Sequence, residues 1–333
     1  MDKIISLTLS VTTLCNSHCI QCDIWNTSNI RKEQQLTLTD YEGLFKSFGN
    51  RNLKNIAITG GEPSLYEDLE ELVDIISIYF PNVRLVLNTN ANSKKIFSLD
   101  LLKKLNTYNF NEVLINVSLD GTEKIHDSNR GIVGAFNNAI EFIRFVKSNF
   151  HKIKISLNFT VLPYNFTEVQ NILQLSKSLQ VGFTMRYGQN SFFYNNASTI
   201  FPWNEDDLIN SALYFRETAE KLKDQNKNSL SAHILFILLA PYYLTKNRDY
   251  DCFALQDSMY IDSTGNIYPC IMLNEIIGNI KNHNINNILN SELALKVKRK
   301  IFSRQCHCWT ECESMNSIIN QKDFFSNKIS QIC

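Results

Sequence analysis

The sequence predicts an α/β fold built on a parallel sheet. Six short apolar runs alternate with longer segments of helical periodicity over residues 1–190, and this alternation is typical of parallel strands joined by right-handed helical crossovers. Several runs are almost continuously apolar, which indicates strands buried on both faces. The pattern fits an open doubly wound sheet and a barrel equally well, and both place chemistry at the carboxyl ends of the strands.

The predicted elements follow one another as repeats of one strand-helix unit. The strands are expected at residues 4–11, 55–58, 83–88, 113–118, 153–161 and 182–186. The helices, where apolar residues recur at helical spacing, are expected at residues 39–48, 65–79, 98–105, 134–148 and 166–178. The first helix opens on Thr39-x-x-Glu42, which has the spacing of a capping box.

Changes in composition divide the chain into a core domain, a helical linker, a small second domain and a polar tail. These parts are expected at residues 1–190, 191–250, 251–314 and 315–333. The linker carries two further helical stretches, at residues 205–223 and 229–244. The second domain carries cysteines among turns and short strands.

The charges and the apolar runs exclude several classes of partner. Lys plus Arg and Asp plus Glu both number 33, so no excess of positive charge is available to hold a nucleic acid. No signal-peptide cleavage site follows residues 1–13, and no apolar run reaches the roughly 18 residues of a membrane span. The nine cysteines are clustered, which favours metal ligation in a reducing, cytoplasmic compartment over disulfides.

Cys15, Cys19 and Cys22 form a C-x3-C-x2-C triplet directly after the first predicted strand. Iron-sulfur clusters are held by cysteine thiolates, normally by four of them, so a triplet leaves one iron open to a small molecule. Three buried thiols and a zinc site are the alternatives. Structural zinc usually takes four ligands in two separated pairs, which a single triplet fits poorly.

The triplet resembles the signature of the radical S-adenosylmethionine (radical SAM) superfamily, although Gln21 stands where that family often has an aromatic residue. One strand later, Gly60-Gly61-Glu62-Pro63 resembles the family's GGEP motif. Two adjacent glycines also suit a merely tight turn, but the position one strand after the triplet favours the motif. The resemblance implies a partial (β/α)6 TIM-like barrel, a 4Fe-4S cluster on the three cysteines and SAM bound by the GGEP residues.

Polar residues near the ends of later strands are candidates for the same site. By resemblance, Asn90 and Ser118 are expected to bind the carboxylate or ribose of SAM, with Asn158 pointing into the barrel beside them. Asp120 is a candidate catalytic residue that binds a ribose or substrate hydroxyl, although an Asp-Gly pair is also a common turn. Arg186 is the other catalytic candidate. Because a buried unpaired arginine is costly, we expect Arg186 to meet a carboxylate of SAM, Glu62 or the substrate.

The segment His126-Asp127-x-x-Arg130-Gly131 resembles a stretch that recurs in this superfamily after the fourth strand. It has two interpretations. One is a salt-bridged loop that closes over the barrel, and the other is direct contact with the substrate.

The C-terminal cysteines form a second candidate metal site. They are Cys252, Cys270, Cys306, Cys308 and Cys312. Gly265-x4-Cys270 and the following Ile277-Gly278-Asn279-Ile280 resemble the start of a SPASM or twitch domain, which implies an auxiliary 4Fe-4S cluster and a β-hairpin between the first two cysteines. Five cysteines suffice for one such cluster, with Cys306 as a spare or alternative ligand and Cys333 free. Four thiolates would also make a structural zinc site.

The resemblance implies a radical SAM oxidoreductase. One electron from an external donor such as flavodoxin or ferredoxin would cleave SAM to a 5′-deoxyadenosyl radical, which takes hydrogen from the substrate, and the auxiliary cluster would accept an electron. The first hypothesis is dehydrogenation of a sugar or aminocyclitol. The alternative is a peptide maturase that makes a crosslink, epimer or thioether in a ribosomally made precursor.

Two further considerations weigh on these hypotheses. The first strand is expected near residue 4, which leaves no N-terminal peptide-recognition domain of the kind many maturases carry and so favours the small-molecule substrate. A non-catalytic iron-sulfur or zinc scaffold is the third hypothesis, and it leaves the GGEP turn unexplained.

Overall fold

The computed structural model describes residues 4–27, 34–49, 53–92, 96–196, 203–225, 234, 248, 250–282, 284–306 and 308–310. Its strands are β1 (Ser6–Ser10), β2 (Asn55–Thr59), β3 (Arg84–Thr89), β4 (Glu112–Ser118), β5 (Ile153–Val161), β6 (Gly182–Tyr187), β7 (Ser258–Ile261), β8 (Asn266–Tyr268) and β9 (Gly278–Asn279). They form one sheet in the order β6-β5-β4-β3-β2-β1-β7-β8-β9. Strands β1 to β6 are parallel to their neighbours and form the α/β core of a partial TIM-like barrel, so the six predicted strands are confirmed.

Helices alternate with these strands. They are α1 (Leu38–Phe48), α2 (Leu69–Tyr79), α3 (Leu99–Thr107), α4 (Glu123–Arg130), α5 (Ala135–Asn149), α6 (Val169–Leu179), α7 (Glu205–Asp224), α8 (Ile285–Leu289) and α9 (Glu292–Phe302). The predicted helix at 229–244, Cys312 and the tail at 315–333 lie outside the described residues.

Three helix starts differ from the sequence prediction. The capping box of α1 is formed by Thr37 and Asp40, because the Thr37 hydroxyl accepts from the Asp40 amide at 3.2 Å and the Asp40 carboxylate accepts from the Thr37 amide at 2.8 Å. Helices α2 and α6 begin later than predicted, since a 3-10 turn precedes each of them, at Pro63–Leu65 and Phe166–Glu168.

The strands are less uniformly buried than their apolar composition suggests. In β2 and β4 fully buried residues alternate strictly with partly exposed ones. The buried face, with Ile56 and Ile58 at 0% exposure, belongs to the hydrophobic core. The other face carries polar side chains such as Asn116 and Ser118. The expectation of two buried faces is therefore wrong for these strands, because their second face lines the interior of an incomplete barrel.

The cysteine-bearing C-terminal segment continues the same sheet. Strand β7 pairs in parallel with β1, with Ser6 opposite Ser258 and Leu9 opposite Ile261. The predicted hairpin is formed by β7 and β8, and it turns at Gly265, whose φ of +90° suits glycine. Strand β1 therefore leads to the first cysteine cluster with β2 on one side and the second domain on the other.

Among the described helices, none combines the length and the apolar character needed to cross a bilayer.

Candidate functional site

The loop after β1 holds Cys15, Cys19 and Cys22, all partly buried. Backbone hydrogen bonds fasten it to the end of α4, because the His18 amide donates to the Arg130 carbonyl at 3.0 Å. The Trp25 indole donates to the Cys22 carbonyl at 3.0 Å. The Trp25 and His18 rings pack edge-on, with their centroids 4.8 Å apart. The cysteine loop is thus held at its middle and at its C-terminal end.

The GGEP turn packs directly against this loop. The amides of Gly61 and Glu62 donate to the carbonyls of Thr12 and Leu14, each at 2.7 Å. A Cβ at Gly60 would lie 2.4 Å from the Thr12 carbonyl oxygen, and one at Gly61 would lie 2.1 Å from that of Leu14. The two glycines are therefore needed for the close approach of the turn to the cysteine loop.

Glu62 joins the ends of β2 and β3. It is 1% exposed, and its carboxylate accepts from the Asn90 amide at 2.7 Å, the Thr89 hydroxyl at 2.9 Å and the Ser64 amide at 3.2 Å. Burial raises the pKa of Glu62, and these donors oppose the rise. The contacts place Glu62 in a network anchored to the strand ends.

Asn90 carries this network to the cysteine loop. Its side-chain amide donates to Asn16 Oδ1 at 2.8 Å and to Ser17 Oγ at 3.0 Å, and it lies 3.9 Å from Cys15 Sγ. The predicted cofactor residues Glu62 and Asn90 are thus brought together with the first cysteine.

Burial opposes ionisation of the thiols of this loop as long as no metal is bound to them. Burial raises the pKa of Cys15 to about 11 and that of Cys22 to about 12, and it raises the pKa of Cys19 as well. Metal binding requires thiolates. The side-chain donors near Cys15 and Cys19 suit sulfurs that carry negative charge, so the residues fit a thiolate-bound cluster.

Asp120 is paired within the protein. It is fully buried, and its carboxylate binds Arg130 Nη2 at 2.6 Å, Asn129 Nδ2 at 2.5 Å and the Thr160 amide at 3.0 Å. Asp120 therefore supports Arg130, and its contact with a ribose or substrate hydroxyl stays a prediction. Arg130 Nη1 in turn lies 3.7 Å from Cys19 Sγ.

The segment from His126 to Gly131 forms most of helix α4 and the left-handed residue after it, not the loop that its polar sequence suggests. Of its two interpretations, the salt bridge is the one observed, between Arg130 and Asp120. His126 Nδ1 accepts from the Asp120 amide at 3.1 Å. Burial, together with nearby Arg130, lowers the pKa of His126 to about 4, so this ring is neutral near pH 7.

A row of amide and hydroxyl groups lines the barrel interior. Ser118 lies opposite Asn158 in the β4–β5 register, and Asn158 Oδ1 is buried with no hydrogen-bond partner among the described residues. An orphaned acceptor fits a site that receives donors from a polar ligand such as SAM. The row also contains Asn116, which donates to Asn88 Oδ1 at 3.1 Å and which sequence reasoning missed.

Arg186 lies on β6 opposite Thr160. Its guanidinium carbon lies 5.6 Å from the centroid of the Tyr194 ring. The contacts found for the Glu62 carboxylate come from Ser64, Thr89 and Asn90. The pairing of Arg186 with a carboxylate of SAM or of a substrate stays a prediction.

The second cysteine site is a cavity of about 40 Å³. The cysteines that line it are Cys252, Cys270, Cys306 and Cys308. Cys306, predicted as a spare or alternative ligand, therefore shares the cavity with Cys308. Within the described residues, no group of three or more Cys, His, Asp or Glu side chains at either cysteine site is arranged to hold a single metal ion.

Hydrogen-bond donors also face these sulfurs. Arg248 Nη2 lies 3.6 Å from Cys306 Sγ, and the Ala254 amide lies 3.5 Å from Cys252 Sγ. Four sulfurs, two of them with such donors, fit a thiolate-bound cluster. Sequence reasoning missed Arg248, because it precedes Cys252 in a stretch without a motif, and it noticed Arg130 without connecting it to Cys19.

The segment at residues 188–196, which follows β6, connects the two cysteine sites. On the side of the first site, the Asp23 amide donates to the Tyr194 carbonyl at 2.9 Å. Asn196 Nδ2 donates to the Gln21 carbonyl at 2.8 Å. We call residues 188–196 the bridging segment.

On its other side the bridging segment contacts the second domain. Gln189 Nε2 donates to the Trp309 carbonyl, next to Cys308, at 2.8 Å, and the Ser191 hydroxyl donates to the Ile271 carbonyl. Aromatic contacts also join the bridging segment to the second domain. The ring centroids of Phe192 and Tyr268 lie 4.8 Å apart, and those of Phe193 and Tyr260 lie 5.2 Å apart. One short segment thus fixes the position of both cysteine sites.

Comparisons with known proteins agree with this arrangement. A family model described as "Radical SAM superfamily" matches residues 9–176. The SPASM model, described as "Iron-sulfur cluster-binding domain", matches residues 252–313.

Several curated proteins are similar in sequence. The antilisterial bacteriocin subtilosin biosynthesis protein AlbA of Bacillus subtilis is 24% identical over 90% of this chain and 63% of its own length. The sporulation killing factor maturation protein SkfB of Bacillus subtilis is 26% identical over 51% of this chain and 39% of its own length. A GTP 3′,8-cyclase of Sulfurimonas denitrificans is 26% identical over 83% of each chain. The chain thus spans less than two thirds of AlbA and of SkfB.

Solved structures share the fold. Streptococcus suis SuiB bound to S-adenosylmethionine superimposes with a TM-score of 0.67 at 16% identity, over 89% of this chain and 68% of SuiB. The anSMEcpe structure with bound AdoMet and the Cp18Cys peptide gives a TM-score of 0.63 at 17% identity, over 90% of this chain and 82% of that chain. With cysteines, GGEP turn and both family matches in agreement, this chain belongs to the radical SAM superfamily and carries a C-terminal SPASM iron-sulfur domain.

Proposed function

We propose that this chain is a maturase that modifies a ribosomally made precursor peptide. The similarity to AlbA carries the proposal, because it extends over 90% of this chain. SkfB is named as a maturation protein, and SuiB has been solved with the precursor peptide SuiA. These relatives favour the peptide substrate over the sugar or aminocyclitol.

The residues that would hold the cofactors divide between the two sites. Cys15, Cys19 and Cys22 would hold the 4Fe-4S cluster that binds SAM, beside the GGEP turn. Cys252, Cys270, Cys306 and Cys308, with Cys312, are the candidates to hold the auxiliary cluster. When bound, SAM with its cluster supplies a hydrogen-abstracting radical, and the auxiliary cluster supplies an electron acceptor.

The protein's own part in this chemistry is to bind, orient and exclude water. Glu62 is locked by three hydrogen bonds, so it presents the GGEP turn to SAM in one geometry. Ser118 and Asn158 offer polar groups on the interior face. Arg186 adds a cation on β6, opposite Thr160, which is two residues beyond Asn158 on β5. Arg186 is proposed to contact SAM or the substrate, and Asp120 is proposed to hold Arg130 in place beside the first site.

The bridging segment contacts both cysteine sites. It is hydrogen-bonded to Gln21 of the first site and, through Gln189, to Trp309 of the second. A peptide side chain bound at the carboxyl ends of the strands would therefore lie beside the segment that joins both sites. We place the enzyme in the cytoplasm, where thiolates stay reduced, with an external electron carrier such as flavodoxin or ferredoxin as the donor.

The proposal is tested with anaerobically reconstituted full chain, SAM and a reductant. The neighbouring genes are searched first for short open reading frames, and synthetic copies of the peptides they encode are the probes. We expect one of them to lose a pair of hydrogens, as for a crosslink or thioether, or to take up deuterium in D2O, as for an epimer, with both changes measured by mass spectrometry. The Cys15→Ala variant is the control without a first site.

GTP and a 2-deoxy aminocyclitol are the control substrates, GTP because a GTP 3′,8-cyclase is among the relatives. Consumption of either one, with every peptide unchanged and 5′-deoxyadenosine still formed, contradicts the maturase proposal.

A further inference from the structure

Each cysteine site contains one buried arginine that points at a sulfur. Arg130 Nη1 lies 3.7 Å from Cys19 Sγ at the first site, and Arg248 Nη2 lies 3.6 Å from Cys306 Sγ at the second. Arg130 is 7% exposed and Arg248 is 2% exposed. Since arginine stays protonated in proteins, a positive charge lies within reach of one sulfur at each site.

The two arginines differ in what neutralises them. Arg130 forms an ion pair of 2.6 Å with the buried carboxylate of Asp120. Arg248 donates to the carbonyls of Tyr250 and Ile301, and its guanidinium carbon lies 5.3 Å from the centroid of the Tyr250 ring. No described carboxylate forms an ion pair with Arg248, so its partners among the described residues are neutral groups and the cysteine.

This difference bears on the potential of any cluster at the second site. Reduction of an iron-sulfur cluster adds one negative charge, and its potential depends on nearby charge, on hydrogen bonds to sulfur and on burial. An uncompensated cation in a buried region stabilises the reduced form, because charges interact more strongly where the effective dielectric constant is low. A compensated cation such as that of Arg130 has a smaller effect.

We propose that Arg248 is a positioning residue that raises the reduction potential of the auxiliary cluster through its contact with Cys306. The potential itself is independent of the substrate. Its use rests on the proposed function, in which the electron lost by a substrate radical on oxidation is gained by the group at the second site. The direction of the effect favours that transfer.

The test is a redox titration of the full chain followed by electron paramagnetic resonance. Cys15, Cys19 and Cys22 are replaced by Ala, so that only the second site carries iron, and no substrate is added. We expect Arg248→Gln to lower the equilibrium constant for one-electron reduction by about tenfold, which is about 59 mV. Arg248→Lys, which keeps the charge, is expected to retain most of the wild-type value.

Arg304→Gln is the matched control. Arg304 lies in the same domain, but it is exposed and pairs with Asp251 at 2.9 Å, so its removal is expected to leave the potential unchanged. A wild-type potential in Arg248→Gln with full iron content overturns the proposal. So does an equal fall in the Lys and Gln variants, because it would show that the charge has no part.

Arg248 also holds two backbone carbonyls, so its variants can lose iron. In that case the chain with Cys15, Cys19 and Cys22 replaced by Ala and with Arg248 unchanged decides, because the wild-type chain also holds Arg130 beside Cys19 at the first site. With 15N in its arginine guanidinium groups, electron-nuclear double resonance is expected to show a nitrogen coupled to the auxiliary cluster. The absence of that coupling overturns the proposal. Because no peptide takes part, either result is separate from the success or failure of the maturase assay.

Discussion

The first and second cysteine sites are surrounded by different kinds of side chain. The first site has three cysteines and polar neighbours. Glu62 accepts from the Asn90 amide, and the Asn90 side chain donates to Asn16 in the cysteine loop. The second is a cavity lined by four cysteines and apolar residues, namely Ala254, Met272, Leu273 and Ile301. A site with polar neighbours and one ligand too few suits the binding of a polar small molecule, whereas a closed cavity with four thiols suits electron storage.

Removal of cysteines gives the largest expected difference between the sites. We expect Cys15→Ala to abolish SAM cleavage, because the open cluster is lost. We expect Cys270→Ala to spare uncoupled cleavage while product formation is lost. The measurements are 5′-deoxyadenosine and product in the same assay. Full product formation by Cys270→Ala would refute the electron-accepting role of the second site.

Iron content sharpens the same contrast. Two four-iron clusters give about eight irons per chain, and replacement of Cys15, Cys19 and Cys22 by Ala is expected to leave about four. The contrary result is about four irons in the wild-type chain and none in the triple variant, with zinc present in both. It would identify the second site as a structural zinc site.

Asp120→Asn removes the carboxylate that pairs with Arg130 at the first site. Because this leaves the buried Arg130 without its carboxylate, we expect the free energy of unfolding to fall by about 3–5 kcal/mol. Denaturant unfolding measures the change. The control Asp251→Asn removes an exposed partner of Arg304, for which about 0–1 kcal/mol is expected. Equal effects of the two substitutions would show that the first site does not depend on compensation.

His126 makes the first site sensitive to acid. Its pKa is lowered from 6.5 to about 4 in the folded protein, so between these values the unfolded chain binds a proton that the folded chain does not. Stability is therefore fully present above pH 6.5 and falls as the pH drops toward 4, by on the order of 3 kcal/mol.

The His126→Asn variant is expected to flatten this part of the stability profile. Unfolding free energies of both proteins, measured at closely spaced pH values, make the comparison. Parallel curves would assign the acid sensitivity to other groups.

The smallest expected effect comes from disturbing the backbone contact between the GGEP turn and the cysteine loop. Gly61→Ala places a methyl group where only 2.1 Å separates it from the Leu14 carbonyl oxygen, so we expect a loss of about 1–3 kcal/mol of stability and weaker iron retention by the first site. Gly43→Ala is the control, since nothing lies within 4 Å of its Cβ position, and within α1 it is expected to stabilise by about 0.5–1 kcal/mol. Unchanged iron at the first site in Gly61→Ala would show that the loop adapts.

Local patterns allowed much of this fold to be predicted. The strands follow from runs such as residues 153–161, which the structure reproduces as β5, because burial of apolar runs dominates local structure. The cysteine triplet and the GGEP turn were placed together correctly, since consecutive parallel strands end at the same edge.

The features that the sequence left open or did not show depend on contacts between distant residues. Helix α4 brings Arg130 to the carboxylate of Asp120, and this ion pair could not be predicted because the polar sequence of α4 has no apolar period that would reveal a helix. Cys306 and Cys308 share one cavity, which spacing alone could not show. The pairing of β7 with β1 joins segments at opposite ends of the chain and leaves no local sequence signal.

That pairing has a consequence for the order in which the protein assembles. Strand β1 is completed on one side only when Ser258 to Ile261 arrive beside it, and contacts between segments so far apart form slowly, because a long loop must close first. Until then the strand that leads to the first cysteine loop is an open sheet edge, and open edges pair with other chains. During synthesis the first cysteine site is therefore made early, but the strand that leads to it is among the last parts of the sheet to be paired. We expect chaperones and cluster-loading proteins to act mainly in that interval.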